Sequence, residues 1–170
     1  MAFCWWQTSA NWLHDFNQAK KLAEQKHQLI LLSCTLLSSP GWLTNFSEAK
    51  KQAAQNHELI LLNFSGSDWC TSCIRMHKEM FESNVFKNYA AANLVLMNAD
   101  FPRLNKHQLP KTLQNQNDSL ADKYNPSGKF PYTLLINADG KVIKDWDDGM
   151  PKETPESFVQ EIKTVCDANK

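Results

Sequence analysis

"LILLNFSGSDWCTSC" occupies residues 59–73, and its two halves follow different rules. "LILLNF" (59–64) is a short apolar run after a polar stretch, the pattern of a buried strand. "SGSDWCTSC" (65–73) then supplies small turn-forming residues and two cysteines in C-x-x-C spacing. Such a pair admits three readings: a redox couple, half of a metal site, or coincidence.

Upstream, "WLHDFNQAKKLAEQKHQLILL" (12–32) recurs as "WLTNFSEAKKQAAQNHELILL" (42–62), with 13 identities in 21 ungapped positions. That match marks a duplication, although two units are too few for a solenoid. Each copy predicts an amphipathic helix followed by a buried strand. The apolar side carries Phe16, Ala19 and Ala23 in one copy and Phe46, Ala49 and Ala53 in the other. His27 and His57 fall at the helix ends, where histidine suits the negative end of the dipole. Only the second copy leads into the cysteines, so residues 59–64 are expected to take the central strand. The first copy then has three fates: addition to an open sheet edge, exchange in a segment-swapped dimer, or loose docking. A free apolar strand invites aggregation, so residues 1–41 are expected to pack on the domain or on a partner chain. The organisation expected is an N-terminal extension over 1–41 and a domain over 42–170.

Downstream, a helix should begin around Cys70 and carry Ile74, Met76 and Phe81 inward. A second short helix follows Asn84. "NLVLMNAD" (93–100) is a strand, and "FPRLNKHQLPKTLQNQND" (101–118) opens as a polar loop bearing Pro102 and Pro110. A helix over 113–124 precedes "FPYTLLINADGKVIKDW" (130–146), a hairpin turning at Asp139-Gly140. Thr154-Pro155-Glu156 starts the last helix, expected over 155–165, with a hydroxyl cap, a proline and an early acid. Helices alternating with strands, ending in a hairpin and a helix, indicate an α/β domain with a mixed sheet.

A chain of 170 residues with 42% hydrophobic content and nine phenylalanines can build such a core. Its zero net charge offers no electrostatic ground for binding nucleic acid or an anionic membrane. No apolar run approaches the ~20 residues of a membrane helix. Five cysteines, at 4, 34, 70, 73 and 166, are too sparse for a disulfide scaffold. Cys4, Cys34 and Cys166 read as ordinary thiols. "MAFCWWQTSANWLHDF" lacks the basic start of a signal peptide. "KHQLILLSCTLLSSPG" (26–41) has an export-like basic-then-apolar order, but the repeat accounts better for it.

A thiol attacks only as thiolate, and a helix N-terminus favours that form. Cys70 is therefore the expected nucleophile, and Cys73, one turn further in and more shielded, the resolving thiol. Arg75, His77 and Lys78 add positive charge nearby. A metal site is the first rival, because Cys70, Cys73 and His77 fall roughly on one helix face, with His107 as a further candidate ligand. It lacks the second ligand pair of a zinc centre. The other rival, a non-catalytic peptide-binding module, would be marked by loss of a cysteine. "DWDDG" (145–149) lacks the spaced oxygen ligands of calcium loops.

"DWCTSC" after a strand, followed by "KFPYT", resembles the thioredoxin-like proteins. "FSGSDWC", "NADFPR", "LADKYN" and "GKFPYTLLINADGKV" are similar in particular to those exported by Bacteroidetes-type bacteria, over about residues 42–168. The resemblance implies a thioredoxin fold without a bound cofactor and with a periplasmic location. It implies protein thiol or disulfide substrates, served by an upstream electron donor or acceptor. It also implies that Pro131 is a cis-proline facing the disulfide, that Phe130, Pro131 and Tyr132 meet an extended substrate, and that Trp69 shields the redox pair. This chain departs from the family in three places. Asn63 stands where thioredoxin has a buried proton-accepting aspartate, leaving water, Glu79 or Asp100 to serve Cys73. The lysine near that aspartate is absent. The dipeptide between the cysteines is Thr71-Ser72, and because relatives span about −270 to −120 mV, the direction of electron flow stays open.

Overall fold

The structure, a computed structural model, describes residues 41–146 and 154–169. The first repeat copy, Cys4, Cys34, His27 and residues 147–149 lie outside the described residues, and with residues 1–40 undescribed so does the packing expected for 1–41.

The second copy folds as its pattern requires. Helix α1 (Phe46–Asn56) starts at Asn45, whose side chain accepts the Glu48 N–H at 3.1 Å, and buries Ala49 and Ala53. It stops at His57, whose backbone is left-handed (φ 56°) and whose N–H donates to the Ala53 carbonyl. Glycine usually takes that position. His57 thus caps through its backbone.

Strand β1 (Leu59–Ser65) runs parallel to β2 (Leu94–Asp100) and antiparallel to β3 (Tyr132–Ile136), which pairs antiparallel with β4 (Val142–Trp146). The sheet order is β2-β1-β3-β4, so β1 is interior, as expected of the strand that leads into the cysteines. Leu43 adds a single parallel bridge outside β2, donating its N–H to the Leu96 carbonyl (2.8 Å) and accepting from the Asn98 N–H (2.9 Å).

Successive strand residues face opposite sides of the sheet, and both sides are covered. Ile60, Leu62 and Phe64 join Ala49, Ala53, Leu120 and Tyr124 of the layer built by α1 and α4 (Lys111–Tyr124). Leu61 joins Met76, Phe81, Phe86, Phe158 and Ile162 of the opposite layer. That second layer is built by α2 (Thr71–Met76), α3 (Asn84–Asn93) and α5 (Pro155–Asp167). Helix α5 opens as its sequence indicates, the Thr154 hydroxyl accepting the Ser157 N–H, and runs two residues past the expected end. Helix α4 begins two residues before the expected start, directly after Pro110.

One expected core residue is outside. Helix α2 continues into a π-helical turn (His77–Phe81), closed by the Glu82 N–H donating to the His77 carbonyl at 2.9 Å. The wider turn lets the adjacent Met80 and Phe81 both point inward, beneath Cys73 and Met76. Ile74 lies about 100° round the helix from Cys73 and is 50% exposed. The hairpin turns as expected, with Gly140 at φ 85° and its carbonyl accepting the Tyr124 hydroxyl at 2.8 Å. Among the described residues, no helix is long and apolar enough to cross a membrane.

Phe158 is fully buried and meets Trp146 edge-on at 5.2 Å and Phe86 stacked at 6.4 Å. Phe158→Ala should cost about 3–5 kcal/mol, seen as a lower urea midpoint with an unchanged slope.

Candidate active site

Strand β1 delivers the cysteines at its C-terminal end. Cys70 and Cys73 are joined in a disulfide, with their Cα atoms 5.2 Å apart. Cys70 is the N-cap of α2, and its Sγ accepts the Cys73 N–H at 3.2 Å. Both cysteines are 5% exposed, so Cys73 is no better shielded than Cys70. What distinguishes them is position: Cys70 stands just outside the helix at its positive end, and Cys73 within the first turn. The Ser72 hydroxyl lies 3.4 Å from the Cys70 Sγ, where it can hydrogen-bond the sulfur.

The loop before the cysteines is tight because Gly66 permits it. The Cys70 N–H donates to the Gly66 carbonyl at 2.9 Å, and a Cβ on Gly66 would lie inside the Trp69 indole. Trp69 folds over this loop and donates its Nε1–H to the Phe101 carbonyl at 2.7 Å. Phe130 meets the indole edge-on at 5.4 Å, and the Phe130-Pro131 peptide is cis. Phe101 packs on Phe130 at 5.5 Å, and Phe64 lies between Phe101 and Tyr132. Trp69 of the cysteine loop, Phe101 after β2 and Phe130 before the cis-proline thus form one aromatic group, which Tyr132 joins through Phe64.

Asp68 ties two loops to each other. Its side chain is 4% exposed and accepts the N–H groups of Arg103 and Leu104, each at 2.9 Å, and lies 3.1 Å from the His107 Nδ1. The Arg103 N–H above all, with that of Leu104 and with His107, holds the Asp68 carboxyl below its ordinary value of 3.8 against the opposing effect of desolvation. The Arg103 guanidinium then lies over the Trp69 ring, 3.6 Å from its centroid. Asp68 and Arg103 had no signal of their own in the sequence, since an aspartate in a Ser/Gly-rich turn reads as an ordinary turn residue.

Beneath Cys73 the sheet turns polar. Asn63 and Ser65 alternate onto the same face as Leu61. The Asn63 Nδ2–H donates to the Asn98 Oδ1 at 2.9 Å, and its Oδ1 accepts the Thr133 hydroxyl at 3.0 Å. The Ser65 hydroxyl lies 3.1 Å from the Asn98 Oδ1 and 3.2 Å from the Asp100 Oδ1. A cleft of about 430 Å³ opens beside Cys73, lined by the buried Asn63 and Ser65 and by the exposed His77, Lys78 and Glu82. It is wide enough for water to reach the thiol.

Other sequence candidates are drawn elsewhere. Glu79 faces Arg75 at 3.8 Å, and the Asp100 carboxylate is occupied by Ser67, whose N–H and hydroxyl donate at 2.9 and 2.6 Å. His77 sits 3.7 Å from Glu82, whose carboxyl is held low chiefly by its hydrogen bond from Lys87. His107 turns to Asp68 rather than to the cysteines. Among the described residues, no three His, Cys, Asp or Glu side chains gather closely enough to hold a metal ion. Cys166 is buried in the core and outside any disulfide.

A family profile described as a thioredoxin-like domain matches residues 46–165. The disulfide bond reductase DsbH of Chlamydia pneumoniae is 39% identical over 80 residues, 47% of this chain; the match spans 46% of that relative's length. The solved structure of a DsbH oxidoreductase superposes with a TM-score of 0.67 at 28% identity, covering 85% of this chain and 99% of that one. A thioredoxin from Thermus thermophilus superposes at 0.54 with 16% identity, over 75% of this chain and 88% of its own, which speaks to the fold alone.

The low Asp68 carboxyl has a consequence for pH. A group whose folded value is depressed stabilises the fold above its ordinary value, and that contribution is lost as pH falls through the folded value. In urea titrations the stability gap between the wild type and Asp68→Asn should hold steady above about pH 5 and shrink on acidification below the ordinary 3.8.

Proposed function

The chain belongs to the thioredoxin-like domain family, and from that premise we propose that it is a thiol–disulfide oxidoreductase acting on protein disulfides or dithiols. The observation that carries the proposal is the Cys70–Cys73 disulfide, formed at the end of an interior strand with Cys70 at the helix N-cap. The match to a protein described as a disulfide bond reductase supports the reducing direction.

The chemistry needs only the two cysteines. In the reduced enzyme, the Cys70 thiolate attacks one sulfur of a substrate disulfide. A bond forms between Cys70 and that sulfur, the substrate S–S bond breaks, and the other substrate sulfur leaves as thiolate. Cys73 gives its proton to water in the adjoining cleft and attacks the Cys70 Sγ. The mixed disulfide breaks, and the second substrate sulfur departs. Two electrons have then passed to the substrate, and the enzyme is left with the disulfide seen in the structure. An external dithiol, the upstream donor, returns it to the reduced state; run backwards, the same steps oxidise a dithiol.

Asn63 cannot take a proton, so water entering beside Asn63 and Ser65 replaces a buried carboxylate in this scheme. Trp69, Phe130, Pro131 and Tyr132 form the substrate-binding rim. An extended substrate chain would pair with backbone groups of this rim. Every residue used lies in the domain after residue 41, so removal of 1–41 should leave the activity in place.

Equilibration with defined thiol–disulfide mixtures, followed by alkylation and mass counting, tests the proposal. The wild type should show one two-electron transition, and Cys70→Ser should abolish it together with protein-disulfide reduction. Cys73→Ser should instead accumulate a mixed disulfide with substrate. A pair that never cycles would overturn the proposal.

A further inference from the structure

We propose that Arg103 reads a carboxylate next to the reacting cysteine of the substrate, so that this protein favours disulfides flanked by acidic residues. The proposal rests on the oxidoreductase reading and names a preference within it.

Arg103 sits on the surface, yet its position is set by the loop that holds Cys70. Asp68, two residues before Cys70, accepts the Arg103 N–H at 2.9 Å and the Leu104 N–H at 2.9 Å. Trp69, the residue before Cys70, donates to the Phe101 carbonyl at 2.7 Å. Two consecutive residues of the cysteine loop therefore grip the segment that carries Arg103. The guanidinium lies on the indole face, 3.6 Å from the ring centroid. Stacking of this kind uses the π-face of the guanidinium. Its five N–H donors lie in the plane and stay available in the fork that matches a carboxylate. Among the described residues, the guanidinium meets the Trp69 ring and forms no ion pair with a carboxylate.

The charges around it point the same way. Asp68 spends its carboxylate oxygens on the N–H groups of Arg103 and Leu104 and on His107 and does not pair with the Arg103 guanidinium. Lys106 is exposed on the same segment. Glu79 faces Arg75. A donor fork that is already ordered loses little further entropy on binding, which is what makes a single charged contact discriminating. A substrate chain lying across Trp69 toward Cys70 must pass Arg103. An acidic neighbour of its cysteine would complete a charge-assisted, bidentate contact there.

The test uses the full-length reduced protein and acetylated, amidated peptide disulfides. These differ only in carrying Glu, Gln or Lys beside the cysteine, on either side, so the sole carboxylate is the one under test. For the wild type, kcat/KM should be about tenfold higher for Glu than for Gln, and lowest for Lys. In Arg103→Gln the Glu/Gln ratio should fall to about 1, and Arg103→Lys, a point charge without the fork, should keep only part of it. Near 1 M salt the wild-type ratio should also collapse, as an exposed ion pair must. Because both peptides meet the same variant, changes in folding or redox potential cancel in the ratio. Equal wild-type rates for Glu and Gln, or a ratio unmoved in Arg103→Gln, would overturn the proposal and leave Arg103 as a cover for Trp69. Inertness of the wild type toward all three peptides would instead overturn the oxidoreductase reading itself.

Discussion

Strand β1 is hydrogen-bonded along both edges and covered by apolar side chains on both faces, and the active end of the molecule inherits its position from that confinement. A one-residue slip would exchange Ile60, Leu62 and Phe64 with Leu61, Asn63 and Ser65, placing two polar groups in the layer built by α1 and α4. The register is therefore strongly held. Cys70, five residues beyond the strand, is anchored by the same pairing that packs the core.

The same alternation explains how polar groups come to lie beneath Cys73. Past Leu61, the face toward α2 carries Asn63 and Ser65, and the neighbouring strands answer with Asn98 and Thr133 in register. Among the described residues, every buried side-chain nitrogen and oxygen has a hydrogen-bond partner. Two amides facing each other avoid the cost of a buried charge, which a carboxylate at position 63 would incur. The amides cannot accept a proton, and the Asp100 carboxylate at the end of the network, reached through Ser65, is held by Ser67, whereas the cleft beside Cys73 is open to water.

Parallel β1 and β2 end at the same edge of the sheet, so the loops that leave them lie side by side. Asp68 and Trp69 from one loop hold Phe101, Arg103 and Leu104 of the other. Phe130 closes the group from the start of β3. The rim of the active site is thus made from three chain segments far apart in sequence, each fixed by strand pairing and joined by a few directed hydrogen bonds.

The order of elements, the hairpin at Gly140, the cap at Thr154, the interior place of residues 59–64 and the C-x-x-C pair were all legible from the amino-acid sequence. Each rests on energetics within a few residues: strand and helix periodicity, a capping hydroxyl, a glycine in a turn. The resemblance to thioredoxin-like proteins added the cis-proline and the aromatic rim, which local pattern does not encode. The tertiary structure alone decided the rest. Ile74 is outside because the inward stripe of α2 depends on where the sheet lies and on the π-turn that follows. The equal burial of the two cysteines depends on the aromatic and helical layers around them. Asp68 finds its partners 35 and 36 residues away, and Trp69 finds its own 32 residues away. Such pairs form only when two strands align and bring their loops to one edge. No local preference of the chain specifies that proximity, because it is a property of the register and not of the residues taken singly.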